Sequence, residues 1–175
     1  ALSGYNRKSL LTRFNEGEAI VPDSLFLDIY DHAYGIYEET SGIVDVASAP
    51  LFDLWGFGFT SDSLPSSDEI ERVRSASGMG RLKRDIRSAV RDDGTLQASE
   101  LLKDSDGVLP KLNYNAIAQG YSCDVVARYL YSIGVKDMLV DIGEIFCDGK
   151  NPGGQSWSLG IDRPEDGNNE LGAQL

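Results

Sequence analysis

The chain has 175 residues, of which 41% are hydrophobic, 25% charged and 9% aromatic, enough for a globular core and too ordered a composition for wholesale disorder or a coiled coil. Lys and Arg number 16 against 28 Asp and Glu, a net charge of −12 that disfavours nonspecific binding to phosphate backbones or anionic lipid. No apolar run approaches the roughly 20 residues that span a bilayer, and two cysteines with one histidine exclude a Cys/His zinc site.

The stretch Ala1 to Phe14 is polar and basic, unlike a secretory leader. The first readable helix follows Pro22, with Asp23 or Ser24 as cap. Leu25, Phe26, Ile29, Ala33, Ile36 and Tyr37 recur at helical spacing, and Ser41-Gly42 stops the run. His32 lies within this helix and reads as a surface or packed histidine. A second helix is predicted over 68–75, capped by Ser67, with Ile70 and Val73 inward and Gly78 and Gly80 ending it. From Arg81 to Leu102, a short helix carrying Leu82, Ile86 and Val90 precedes the Asp92-Asp93-Gly94 turn, and an extended segment follows.

A longer helix is predicted over 115–133, with Cys123, Val126, Ala127, Leu130 and Ile133 on one stripe and Gly134 closing it. Three short apolar runs follow, near 138–142, 144–148 and 157–162, separated by Asp148-Gly149 and Pro152-Gly153-Gly154 turns. They predict an antiparallel sheet against that helix, hence an α+β fold. After Pro164 the chain has turn composition and then what reads as the start of another strand. The expectation is one domain over 1–175 that is the earlier part of a longer fold.

Three segments can carry chemistry. In Asp45 to Gly58, the small residues Ala47, Ser48 and Ala49 allow a ligand close to the backbone, whose N–H groups can hold a phosphate or a flavin edge; the alternative is a tight loop before a buried Trp55. Leu112 to Tyr121 lies where a loop enters the long helix, whose N-terminus attracts anions, or else Asn113 or Asn115 is only a cap. In Ser3 to Asn15, Tyr5 can stack on a ring, or the segment is a plain N-terminal element. No Gly-x-Ser-x-Gly, P-loop or Gly-x-Gly-x-x-Gly occurs.

In this order the segments resemble the ApbE family of flavin transferases. The family's Ser-x-Tyr-x-x-x-Ser stretch with a trailing Phe-Asn is similar to Ser3-Gly4-Tyr5 through Ser9 to Phe14-Asn15. Its small-residue loop with Pro-Leu and Trp-Gly-Phe-Gly is similar to Ser41-Gly42, Asp45, Ala47 to Ala49, Pro50-Leu51 and Trp55 to Gly58. Its Asp-Leu-Gly-Ala-Ile-Ala-Lys-Gly-Tyr-x-x-Asp stretch resembles Asn113 to Asp124. Its Val-x-Ile-Gly-Gly-Glu-Ile stretch resembles Val140 to Ile145, with Gly149, Trp157 and Pro164 following.

The resemblance implies an ApbE-like, T-fold-like architecture and a flavin site. FAD would contact Tyr5, Ala47, Ser48, Ala49, Asn113 and Gln119, and the main-chain carbonyl of Ala116 would ligate Mg²⁺. The implied reaction is Mg²⁺-dependent transfer of FMN from FAD to a Thr or Ser hydroxyl of an acceptor flavoprotein subunit, with release of AMP. Alternatives within the fold are FAD binding without transfer, or FAD hydrolysis. The resemblance names no catalytic residue on this chain and implies a bacterial envelope or periplasmic location, with membrane attachment only through a lipid anchor. Ala47 stands where the family often has Thr, Asn113 where it has Asp, Gln119 where it has Lys, and Gly143-Glu144 has one glycine where two are usual. The family's His-x-x-Asp-Pro and distal Ala-Asp-x-x-x-Thr segments do not occur in the chain, so the chain alone is expected to be inactive.

Overall fold

The computed structural model describes residues 2–4, 6–56, 64–104, 108–162 and 171–174, with backbone only at 161–162 and 171–174. The fold is α+β, and the chain forms two compact bodies, Ala1–Ala118 and Gln119–Leu175.

The first body is helical. Helix α1 (Leu10–Asn15) starts at Ser9, whose hydroxyl accepts the Thr12 N–H. Helix α2 (Ser24–Glu39) starts at Asp23, whose carboxylate accepts the Phe26 N–H, and stops as the Gly42 N–H returns to Tyr37 O at 2.8 Å. The buried stripe of α2 is Phe26, Ile29, Tyr30, Ala33 and Tyr34. The apolar spacing therefore located the helix but not the full stripe. Leu25 is exposed and Ile36 and Tyr37 are half-buried, while two tyrosines go inward. They can do so because their hydroxyls find backbone acceptors: Tyr30 donates to Lys83 O at 2.7 Å and Tyr34 to Leu82 O at 3.3 Å. The Phe14 and Phe26 rings meet at 5.6 Å, packing α1 on α2.

A 3-10 turn (Val46–Ser48) leads into α3 (Ala49–Leu54), so the segment expected as a loop is helical. Pro50 suits this start, since a first-turn residue needs no N–H. Trp55 caps the end of α3 and is 48% exposed, which does not fit the alternative reading of a tight loop before a buried ring. Helix α4 (Ser67–Ser75) begins at Ser66, one residue before the predicted cap, because Ser66 and Glu69 form a reciprocal capping box. The helix stops at Ala76, ahead of Gly78, and Ile70 and Val73 are only half-buried.

Between Arg81 and Leu102 the expected helix is only a 3-10 turn (Ile86–Ala89), with Ile86 and Ala89 buried. The expected extended segment is confined to Leu96, which exchanges backbone hydrogen bonds with Ile20 at 2.9 and 2.8 Å, before the short α5 (Ala98–Leu101). Leu82 and Leu102 form a second bridge. Leu82 and Lys83 are the backbone acceptors that Tyr34 and Tyr30 of α2 reach.

The second body holds nearly all of α6 (Ala118–Ser132), which runs unbroken through Gly120. Cys123 and Ala127 are buried, as expected, whereas Val126 is 37% exposed and Ile133 58% exposed. The helix starts three residues later than predicted because Tyr114 O accepts both Ile117 N and Ala118 N, making a turn of 115–117. Strand β1 (Met138–Asp141) pairs antiparallel with β2 (Ile145–Asp148), with Met138 and Val140 buried. The Cys123 thiol donates to Glu144 O at 3.0 Å, and the Tyr131 ring stands edge-on to Phe146, tying α6 to this hairpin.

The third predicted strand does not join it. Strand β3 is only Gly160–Asp162 and pairs with β4 (Leu171–Gln174) in a separate ladder. The indole N–H of Trp157 takes the Asp148 carbonyl at 3.0 Å, and a Lys150–Ser156 bridge closes a tight hairpin there, so 149–159 is turn rather than strand. The strand expected after Pro164 is β4.

Candidate functional site

The first segment is held by its serines. The Ser9 hydroxyl caps α1 and also donates to Ser3 O at 2.7 Å, closing the loop over 3–9. Tyr5 lies outside the described residues. At the far end of α1, the Asn15 side chain meets Leu112: Nδ2 donates to Leu112 O and Oδ1 accepts from Leu112 N, both at 2.8 Å.

The second segment is stapled by Asp45. Its Oδ1 accepts the Ala47 N–H at 2.8 Å, and the same carboxylate accepts the Met79 N–H at 3.0 Å. Gly78 approaches at φ 107°, a Cβ there would come within 3.1 Å of Asp45 Oδ2, and its N–H donates to Ala47 O at 3.2 Å. The Ser48 hydroxyl donates to Asp45 O at 2.6 Å. Ala47 and Ala49 are buried and Ser48 is half-buried. The Ala47 and Ser48 N–H groups thus serve the loop's own hydrogen bonds and are not free to hold a phosphate or a flavin edge.

The third segment touches the second directly. The Asn113 N–H donates to Val46 O at 2.7 Å. The Asn113 side chain accepts the Asn115 N–H at 2.9 Å in an Asx turn, and Ala116 is exposed two residues beyond Tyr114. The Asn113–Val46 hydrogen bond therefore brings Asn113 to the start of the Ala47–Ala49 segment within the first body, with Ala116 three residues further along the chain. Gln119 belongs to the second body, where it is exposed and its amide lies against Gly143: a Cβ added there would be 3.0 Å from Nε2.

Residues 1–174 match the ApbE family. The chain belongs to the ApbE family. It is 32% identical over 171 residues to the FAD:protein FMN transferase of Vibrio cholerae, a match covering 93% of this chain and 46% of that protein. It is 31% identical over 180 residues to the FAD:protein FMN transferase of Salmonella typhimurium, covering 98% of this chain and 48% of that one. Among solved structures, the apo flavinyl transferase ApbE of Pseudomonas stutzeri aligns at 28% identity and a TM-score of 0.73 over 93% of this chain and 50% of its own. The ApbE protein of Thermotoga maritima shares the fold at 21% identity and a TM-score of 0.74, over 99% of this chain and 53% of its own. The ApbE chain described here thus spans about half the length of the curated relatives it matches.

Among the described residues of this ApbE chain, no group of three or more His, Cys, Asp or Glu side chains could hold a metal ion. A carbonyl at Ala116 is neutral, and Mg²⁺ needs carboxylates or phosphates to displace its waters. The described residues therefore do not by themselves fit a Mg²⁺ site. No described helix is long and apolar enough to cross a membrane.

Two residues of the site carry roles that sequence reading did not assign. In the sequence Asn15 is only the tail of a motif, and nothing local signals its partner 97 positions away. The spacing of Asp45 to Ala47 signals an Asx-type cap, but nothing local signals its reach to Met79.

Proposed function

We propose that this chain forms the flavin-binding part of a protein that transfers FMN from FAD to a hydroxyl of an acceptor protein and releases AMP. The observation that carries this reading is the Asn113–Val46 hydrogen bond, which joins the small-residue loop to the 113–116 segment although they are far apart in sequence. In this reading Ser48 and the small faces of Ala47 and Ala49 receive the flavin, and Asn113 and Ala116 border its phosphates. Tyr5 and Gln119 enter this reading from the family resemblance alone. Family membership, with relatives named FAD:protein FMN transferase, supports the reaction class.

Phosphoryl transfer of this kind needs positioning and charge neutralisation more than covalent help from the protein. The chain's own contribution is a rigid, stapled loop that excludes water from one face of the ligand. We extend the proposal to Mg²⁺ dependence and an envelope location of the longer protein.

Incubating the full-length protein with FAD, Mg²⁺ and an acceptor flavoprotein subunit tests the reading. Covalent flavin on a Thr or Ser of the acceptor with equimolar AMP is expected. Free FMN and AMP would make the protein a hydrolase, and intact FAD a binder. Cell fractionation tests the location.

A further inference from the structure

Asn15 makes two hydrogen bonds to one residue, Leu112, which lies 97 positions away. Its amide donates to Leu112 O and accepts from Leu112 N, each at 2.8 Å. In a sheet, such a doubly bonded residue is paired by another strand's backbone. Here a single side chain supplies both halves. Leu112 is buried, so no water replaces the partner if it is removed. The next N–H, that of Asn113, goes to Val46 O. Three backbone groups in a row, Leu112 N–H, Leu112 C=O and Asn113 N–H, are thus fixed from two sides just before Ala116.

We propose that Asn15 is a positioning residue: it sets the register of the 112–116 segment against the 45–49 loop and so the alignment of the flavin site. The proposal rests on the flavin reading above. Asn15 acts through Leu112 and Asn113, and its own amide is occupied by Leu112. Asn15 is the last residue of α1, whose N-cap, Ser9, donates its hydroxyl to Ser3 O.

The role requires one donor and one acceptor on one planar group, which a primary amide has. An ionised carboxylate has two acceptors, one of which would face the Leu112 carbonyl. A protonated carboxyl has the amide's shape and restores the donor. Asn15→Asp should therefore fail at neutral pH and recover as pH falls through the introduced group's pKa. That pKa is raised, because the neutral form is the one hydrogen-bonded. The charged neighbours along the two elements are Arg13, Glu16 and Glu18 beside Asn15, and Lys111 beside Leu112. Arg13 pairs with Glu18 and Lys111 with Asp53. Wild type measured over the same pH range accounts for their titration.

The experiment uses the full-length protein and two readouts, amide hydrogen exchange and FAD affinity. At about pH 7, Asn15→Asp should speed exchange at Leu112 and Asn113 and raise the FAD Kd, each by roughly tenfold, as expected for one lost buried hydrogen bond. Exchange at Ile29 and Tyr30 in α2 should stay near wild type. At about pH 5 both readouts should return most of the way to wild type, the introduced carboxyl then being protonated. Should Asn15→Asp not fold at neutral pH, Asn15→Gln carries the same two readouts, because it keeps donor and acceptor but displaces them by one methylene. Unchanged exchange at Leu112 and Asn113 overturns the proposal. Faster exchange with unaltered FAD affinity overturns it too, since Asn15 is then a residue of the fold alone. If wild type itself does not bind FAD, the flavin reading fails and the proposal with it. The exchange result then still shows whether the clamp stood.

Discussion

Tyr114 is fully buried beside Tyr30, and among the described residues its hydroxyl has no hydrogen-bond partner. Burial raises the pKa of both phenols far above the ordinary tyrosine value, so both stay neutral at any working pH. The two differ in one respect: Tyr30 donates to Lys83 O, whereas Tyr114 buries its hydroxyl unpaired. Tyr114→Phe should therefore leave stability unchanged or raise it by up to ~1 kcal/mol, read from chemical denaturation. A loss of more than about 1 kcal/mol would mean that the hydroxyl has a bonded water. Gly149 is the opposite case. It turns at φ 73°, and a Cβ there would lie 2.6 Å from Lys136 O and 2.9 Å from Asp137 Cα. Gly149→Ala should destabilise the second body by about 2 kcal/mol or more, seen as earlier unfolding of the β1–β2 hairpin in hydrogen exchange. Exchange rates equal to wild type would show that the backbone around Asp137 yields freely.

At the scale of elements, α4 is held by its cap more than by its packing. None of its residues is buried, whereas Ser66 and Glu69 satisfy each other's backbone donors. Hydrogen bonds from Ser66 hold the Glu69 carboxyl below its ordinary range. The sign follows from that depression. The contribution is complete above the ordinary carboxylate pKa and is lost as pH falls through the lowered folded-state value. Helical chemical shifts over 67–75 should therefore weaken in acid in step with the titration of Glu69, while those of α2 persist. Ser66→Ala should remove the coupling and return the Glu69 titration toward the ordinary value. Loss of α2 and α4 signals together would indicate global acid unfolding instead.

For the molecule as a whole, the distribution of apolar surface is unequal. Core residues of the first body, such as Phe14, Tyr30 and Leu101, are closed off. In the second body Tyr129 of α6 is 63% exposed and Ile133, just past its end, 58%. Among the described residues no acidic cluster accompanies the stapled loop and the 113–116 turn. Residues 1–175 by themselves should then bind FAD weakly, with little response to Mg²⁺, and transfer no FMN. A longer protein that also carries the remaining half of the family's length should bind FAD tightly with Mg²⁺ and transfer FMN. Calorimetric titration of FAD with and without Mg²⁺ against each decides it. Tight Mg²⁺-dependent binding by residues 1–175 would mean that the described carboxylates complete a metal site after all.

Features decided within a few residues were legible in the sequence. Asp23 caps α2 and Gly42 closes it, because a cap and a C-terminal glycine act across three to five positions. Helix α6 runs through Gly120 because its apolar spacing outweighs one glycine's cost of about 1 kcal/mol. The order of the family's short motifs along the chain is likewise a property of sequence, as are Ala47 to Ala49 and Asn113 to Gln119 as candidates. Pairing across long separations was not legible. The residue types of 157–162 suit a strand, yet nothing local says whether it joins β2 or β4, and the side chain of Trp157 settles that by occupying Asp148 O. The inward turn of Tyr30 and Tyr34 depends on carbonyls at Lys83 and Leu82, which only the folded chain brings near. The same holds for Asp45 with Met79 and for Asn15 with Leu112. A polar side chain with several possible partners is assigned by whichever backbone the closed loops deliver to it, and that is a property of the tertiary structure alone.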